Sequence, residues 1–68
     1  MKNTKEAIRN LQKNGEYRFE GLSREESRKA ATRLARAAME DDRKNGIENS
    51  FGIARDAFGY YFAAQING

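Results

Sequence analysis

Basic residues recur through the middle of this sequence in a pattern that could bind an anion. From Arg28 to Met39 there are four positively charged side chains and no negatively charged one. On an α-helix these cations and Arg24 would fall on two adjacent strips of one surface. A row of this kind can contact successive phosphates or other anionic groups. The residues predicted to bind an anionic partner are Arg24, Arg28, Lys29, Arg33 and Arg36.

The same helix surface has a second interpretation. Glu25 lies four residues before Lys29, and Glu40 lies four residues after Arg36. These are the spacings of ordinary ion pairs on a solvated helix, each of which contributes only about 0.2–0.5 kcal/mol. The sequence therefore leaves open whether this surface binds a partner or is only solvated.

Residue types that catalyse reactions are scarce. The 68 residues include no cysteine and no histidine, which removes the thiol nucleophile, the imidazole base and the usual zinc ligands. The acidic residues Glu40, Asp41 and Asp42 are adjacent, so on a helix they point in different directions and cannot converge on one metal ion. Their expected partners are Arg36, Arg43 and Lys44. The sequence predicts no enzyme, no metal site and no cofactor.

A short helix and an extended segment are predicted before these basic residues. A narrow apolar stripe predicts a helix over residues 4–14, capped by Asn3 or Thr4. Residues 16–20 alternate polar and apolar side chains, as a half-buried strand does. Since no other segment alternates in this way, the extended segment is interpreted as an unpaired connector that holds Tyr17 and Phe19 against the core. The alternative is pairing with the same segment of a second subunit.

The longest helix is predicted from about residue 24 to residue 44. Ser23 followed by Glu26 is a capping box, in which each side chain accepts a hydrogen bond from the backbone N–H of the other. Asn45-Gly46 is a typical helix end. The small side chains on the apolar face would let another element approach closely. That face contains Ser27, Ala31, Leu34 and Ala38.

The segment from Phe51 to Ile66 holds most of the aromatic residues and only two charged ones, Arg55 and Asp56. On a helix over about 50–66 its side chains form three apolar faces. A short turn would join it to the preceding helix as an antiparallel hairpin. The predicted fold is one mostly all-α domain, with a short helix, an extended segment and a two-helix hairpin that self-associates.

Self-association is expected because one small chain could not cover three apolar faces of a helix. Single cores in chains of this size also supply little stability without disulfides or metals. A homodimer is the expected assembly. The residues predicted at the self-association surface are Phe51, Gly52, Phe58, Gly59, Phe62 and Ala63. Three tyrosines could line a second interface or a ligand pocket, namely Tyr17, Tyr60 and Tyr61.

The composition bounds where the protein acts and what it contacts. The formal net charge of +3 favours an anionic partner. No apolar stretch is long enough to span a membrane, and the absence of cysteine fits a reducing compartment, so a cytoplasmic protein with no membrane partner is expected. In size and residue types alone, the chain resembles small accessory proteins of phages and mobile elements.

The predicted function is therefore binding. The protein would act as an inhibitor or regulator that occludes or sequesters an anionic partner through the basic helix face. That partner would be an acidic protein surface, a nucleotide-type ligand or nucleic acid. One alternative is a sequence-tolerant nucleic-acid-binding or transcription-regulatory protein, and the other is a structural assembly subunit.

Overall fold

Two helices and three short strands make up the fold. The computed structural model describes residues 4–66. In chain order the elements are α1 (Thr4–Asn14), β1 (Glu16–Tyr17), α2 (Arg24–Lys44), β2 (Phe51–Arg55) and β3 (Tyr61–Gln65). The protein is an α+β mixture, and the all-α prediction is wrong. The cap of α1 was predicted at Asn3 or Thr4. Asn3 and the side chain of Thr4 lie outside the described part of the chain.

The two helices predicted in the first part of the chain are confirmed at their expected bounds. At the start of α2, the Ser23 hydroxyl accepts the N–H of Glu26 at 3.1 Å. The Glu26 carboxylate in turn accepts the N–H of Ser23 at 3.1 Å, which completes the predicted capping box. Within residues 4–66, neither helix combines the length and the apolar character needed to cross a membrane.

The segment predicted as a third helix is instead the hairpin of β2 and β3. Its turn depends on Asp56, whose backbone N–H donates to the carbonyl oxygen of Tyr60 at 2.9 Å. The Asp56 carboxylate also accepts the N–H groups of Phe58 and Tyr60, each at 2.9 Å. Gly59 has a φ of +90°, which an α-helix does not contain. The predicted antiparallel two-helix hairpin is wrong because this turn reverses the chain where the helix would have to continue.

β3 lies in the centre of an antiparallel sheet whose strand order is β1-β3-β2. On one side Gly52 is opposite Ala64, and on the other side Tyr17 is opposite Ala63. β1 therefore has a partner in its own chain, contrary to both interpretations of the extended segment. Tyr17 and Phe19 do pack against the core, as the connector interpretation expected.

Both helices pack on one face of the sheet. Side chains alternate along β3, so Tyr61 and Ala63 point towards the helices while Phe62 and Ala64 point to the other face. Phe51 of β2 also points towards α2 and is 3% exposed. The buried apolar residues of the core are Ala7, Leu11, Ala31, Leu34, Ala35, Ala38, Phe51 and Ala63. Phe51, which belongs to a strand and not to a helix, packs with the alanine face of α2.

The acidic residues near the end of α2 connect it to its neighbours. Asp42 is 4% exposed, and its two carboxylate oxygens accept hydrogen bonds from the side-chain amides of Gln12 at 2.8 Å and Asn49 at 3.0 Å. Gln12 also donates to Asp41 at 3.0 Å. The expected ion pairs are wrong, since the described residues include none with Arg36, Arg43 or Lys44. The cluster instead joins α1, α2 and the segment before β2.

A buried serine connects α2 to the central strand. Ser27 is 2% exposed, and its hydroxyl donates to the carbonyl oxygen of Arg24 at 2.7 Å. The same hydroxyl accepts the N–H of Tyr61 at 3.0 Å. Because β1 has already ended at Tyr17, this N–H has no carbonyl oxygen of β1 as its acceptor. The Ser27 hydroxyl is its acceptor instead. The bond fixes the position of α2 along the sheet.

Ser27→Ala should lower the free energy of unfolding by about 1–3 kcal/mol, because it leaves the N–H of Tyr61 buried without an acceptor. Thr32→Ala is the matched control, since the Thr32 hydroxyl bonds to the Arg28 carbonyl oxygen of the same helix at 2.9 Å. Urea denaturation of both variants measures the difference. Equal stability of the two variants would mean that the serine bond does not hold the sheet to α2.

Candidate anion-binding surface

The side of α2 turned away from the sheet carries three of the five predicted basic residues. Lys29, Arg33 and Arg36 are exposed on it, opposite the buried stripe of the helix. Arg24 and Arg28 are also exposed, on the strip nearest β2. The structure therefore brings all five predicted residues onto one surface, which we call the α2 basic surface.

These five cations have no carboxylate partner among the residues that the structure describes. In that part of the chain the only ion pairs are those of Arg18, with Glu16 at 3.4 Å and with Asp56 at 4.0 Å. Neither of the two ion pairs expected from the sequence along α2 is formed. The five cations are therefore not held in ion pairs within the described residues.

Arg24 has a structural role in addition to its charge. Its Nε–H donates to the carbonyl oxygen of Phe58 at 2.9 Å. Its guanidinium carbon also lies 5.2 Å from the centroid of the Tyr60 ring. Both contacts join the first turn of α2 to the hairpin turn. An anion that binds here would meet a guanidinium group that is already held in position.

Arg55 adds a charge that the sequence prediction left out. It is exposed at the end of β2, and with Arg24 and Arg28 it lines a shallow depression of about 400 Å³. The other lining residues are Glu25, Gly59 and Tyr61. The sequence prediction placed Arg55 on an apolar helix, whereas the strand puts it beside the start of α2.

A second depression continues along α2. It has a volume of about 330 Å³ and shares Glu25 and Arg28 with the first. Its lining residues are Glu25, Arg28, Lys29, Thr32, Arg33 and Arg36. Together the two depressions are lined by six basic residues and one acidic residue. They form one continuous surface of positive charge.

The three tyrosines predicted at a ligand pocket or second interface lie in different places. Tyr17 packs edge-on against Phe19, with ring centroids 5.2 Å apart, and both rings pack on the core. Tyr61 also packs on the core and lines the first depression. Tyr60 is 40% exposed and lies beside the guanidinium of Arg24. Only Tyr60 and Tyr61 are therefore near the α2 basic surface.

The aromatic and alanine residues predicted at a self-association surface are spread over three places. Phe51 and Ala63 are buried in the core of their own chain. Phe62 lies on the opposite face of the sheet, where the guanidinium carbon of Arg18 is 4.0 Å from its ring centroid. Phe58 is 75% exposed in the hairpin turn. The hairpin replaces the three-faced helix from which a dimer was expected, and the oligomeric state stays a prediction.

The two glycines of that predicted surface make separate contacts within the chain. Ile66 covers Gly52, where an added Cβ would lie 3.4 Å from the Cγ2 of Ile66. Gly59 lies in the hairpin turn, where an added Cβ would be 2.8 Å from the Nε of Arg24. Gly59 therefore allows Arg24 to reach the turn.

The α2 basic surface has the chemistry of an anion-binding site. Guanidinium groups bind carboxylates and phosphates through parallel N–H donors in a fixed geometry. In the described part of the chain, no three acidic side chains come together to hold a metal ion. Chemically, the arrangement can bind a carboxylate or a phosphate.

Gly59→Ala should destabilise the protein more than Gly21→Ala. Both glycines have positive φ values, +90° and +78°, so each alanine carries a similar backbone strain of about 1–2 kcal/mol. The new Cβ would displace a neighbour, the Arg24 side chain, only at position 59. At position 21 no atom lies within 4 Å of the new Cβ. Urea denaturation compares the two variants. An equal loss would show that the contact of Arg24 with the turn contributes nothing.

Comparison with known proteins adds no family to this geometry. The chain matches no protein-family model, no curated protein and no solved structure. The function of the α2 basic surface must therefore be argued from its charges and contacts.

Proposed function

We propose that this protein is a non-enzymatic binding protein that recognises an anionic partner through the α2 basic surface and Arg55. One observation carries the proposal. Six exposed basic side chains line one continuous surface, and none of them is ion-paired within the described part of the chain. Charges of one sign that are not ion-paired are available to a partner of the opposite sign without first breaking an internal ion pair.

Glu25 is the one acidic residue that lines this surface, and other acidic residues lie away from it. Asp41 and Asp42 lie at the far end of α2, where both accept hydrogen bonds from Gln12. Asp56 is engaged in the hairpin turn. A surface of one charge sign attracts oppositely charged molecules and raises their rate of association. Binding at the α2 basic surface should therefore weaken as salt concentration rises.

The shape of the surface favours occlusion of a partner over uptake of a small ligand. Both depressions are shallow and open, and the stretch from Arg24 to Arg36 spans about 18 Å of helix at about 1.5 Å per residue. A small protein that covers an acidic site of this length would block access to it. We therefore propose action as an inhibitor or regulator. Its location in the cytoplasm stays a prediction.

Arg33→Gln combined with Arg36→Gln should weaken the binding of poly-L-glutamate about tenfold, because two unpaired guanidinium groups at the middle of the surface are lost. The matched control is Lys5→Gln combined with Arg9→Gln, which removes the same charge from exposed positions of α1. Fluorescence anisotropy measures affinity at low and high salt. Circular dichroism checks that the helix content is unchanged.

An equal loss of affinity in the two double variants would show that binding depends on net charge alone. It would rule out the α2 basic surface as the site. A duplex DNA of matched length, measured in parallel, separates the classes of partner. Stronger binding to DNA with a steep salt dependence would favour a nucleic-acid-binding function over an acidic protein partner.

A further inference from the structure

One side of β2 has no strand partner among residues 4–66. β3 lies between β1 and β2, so β2 is an edge strand with a neighbour on one side only. Its sequence, Phe-Gly-Ile-Ala-Arg, contains neither proline nor lysine, which commonly protect such edges. Ile53 in the middle of the strand is 37% exposed. The outer side of β2 is therefore accessible to another strand.

The hydrogen bonds of the hairpin show which backbone groups of β2 face outward. The N–H of Asp56 donates to the carbonyl oxygen of Tyr60, in the direction of β3. Residues of an antiparallel strand alternate between the two sides, so Ala54 also bonds to β3. The N–H and C=O groups of Ile53 and Arg55 consequently point away from the sheet. These are the groups that an added strand uses in β-augmentation.

The opposite edge of the sheet offers no comparable template. β1 has only two residues, Glu16 and Tyr17. Beyond it, the N–H of Tyr61 is already bonded to Ser27 at 3.0 Å. Of the two outer strands, only β2 is long enough to pair with a further strand over several residues.

Depressions lie beside both ends of β2 on the helix side of the sheet. At the Arg55 end is the basic depression that also contains Arg24 and Arg28. At the Phe51 end is a depression of about 430 Å³. It is lined by Met39, Arg43, Ile47, Glu48, Asn49 and Ser50, and Ile47 is 48% exposed. A strand added to β2 would therefore place side chains at a basic site and at a partly apolar site.

We infer that the outer edge of β2 binds an extended acidic segment of a partner protein as a fourth strand of the sheet. This inference rests on the proposed function and identifies the anionic partner as a polypeptide. Main-chain hydrogen bonds to Ile53 and Arg55 hold the segment, and one of its carboxylates lies between Arg28 and Arg55. The α2 basic surface then contacts further acidic residues of the same partner.

The length of β2 sets the spacing of the side chains that are recognised. The two ends of β2, Phe51 and Arg55, are about 13 Å apart at about 3.3 Å per residue. Side chains on one face of a strand recur at every second residue. The bound segment therefore carries a carboxylate that contacts Arg55. About four residues away, the same segment carries an apolar side chain that contacts Ile47.

Charge complementarity favours an acidic segment over a second copy of this chain. Antiparallel pairing of two β2 strands would bring two α2 helices side by side on the same face of the sheet. The side of α2 nearest β2 carries Arg24, Arg28 and Arg43, so each helix would face the cations of the other. Like charges at this distance repel, whereas carboxylates would neutralise them.

The test uses a capped peptide of alternating threonine and valine in which a leucine is flanked by glutamates four residues away on each side. Either strand direction then places a glutamate at Arg55. Two further forms of the peptide are N-methylated on alternate residues. One form carries the methyl groups on the odd-numbered residues, and the other carries them on the even-numbered residues. Because only one set of N–H groups faces β2, one form should bind about tenfold more weakly while the other binds like the unmethylated peptide. Fluorescence anisotropy measures all three.

Arg55→Gln should also weaken binding of the unmethylated peptide about tenfold, because the carboxylate loses its partner in the basic depression. Arg9→Gln, on the exposed side of α1, is the control with the same change of charge and should have little effect. An equal effect of the two substitutions would overturn the assignment of the carboxylate to Arg55.

Equal binding of both methylated forms would overturn strand addition. If Arg33→Gln combined with Arg36→Gln still reduced the affinity for the peptide in that case, the proposed function would stand without strand addition. Binding of duplex DNA but not of the peptide would overturn the inference in favour of nucleic acid. A dimer in sedimentation equilibrium, together with no binding of the unmethylated peptide, would overturn the inference in favour of a second copy at the edge.

Discussion

The close approach of α2 to the sheet is the constraint on which this structure depends. Most residues on the buried side of α2 are alanine or serine, so the backbone of the sheet lies near the helix and polar groups between them must be bonded. Ser27 provides that bond for Tyr61, and at the other end of the helix Asp42 joins α2 to Gln12 of α1. These two contacts fix the rotation of α2. The same rotation turns its basic residues towards solvent.

The helices could be predicted because their signals are local in the sequence. The capping box of Ser23 and Glu26 and the helical spacing of the apolar residues both lie within α2 itself. The hairpin lacks such a signal, because Phe62 and Ala64 on its outer face are apolar as well, and polar and apolar residues therefore do not alternate. The local evidence against a helix was Asp56 followed three residues later by Gly59, the pattern of a type I turn.

The candidate site was predictable only where it lies on a single element. The cations of α2 share one surface once the helix is assigned. Arg55 and the unpaired edge of β2 depend on which segment packs beside α2, and that pairing joins distant parts of the chain. The partner of β1 was missed for the same reason, since Glu16 and Tyr17 pair with residues of the last strand. Alternation in residues 16–20 indicated a strand, but nothing local in the sequence indicates which distant segment a strand pairs with.

The position of β3 also determines an order of folding. α2 and the hairpin of β2 and β3 are neighbours in sequence, whereas β1 must pair with β3 across almost the whole described chain. Contacts between distant segments form slowly because a long loop must close first. We expect α2 and the hairpin to assemble as a nucleus, and α1 with β1 to dock onto it last.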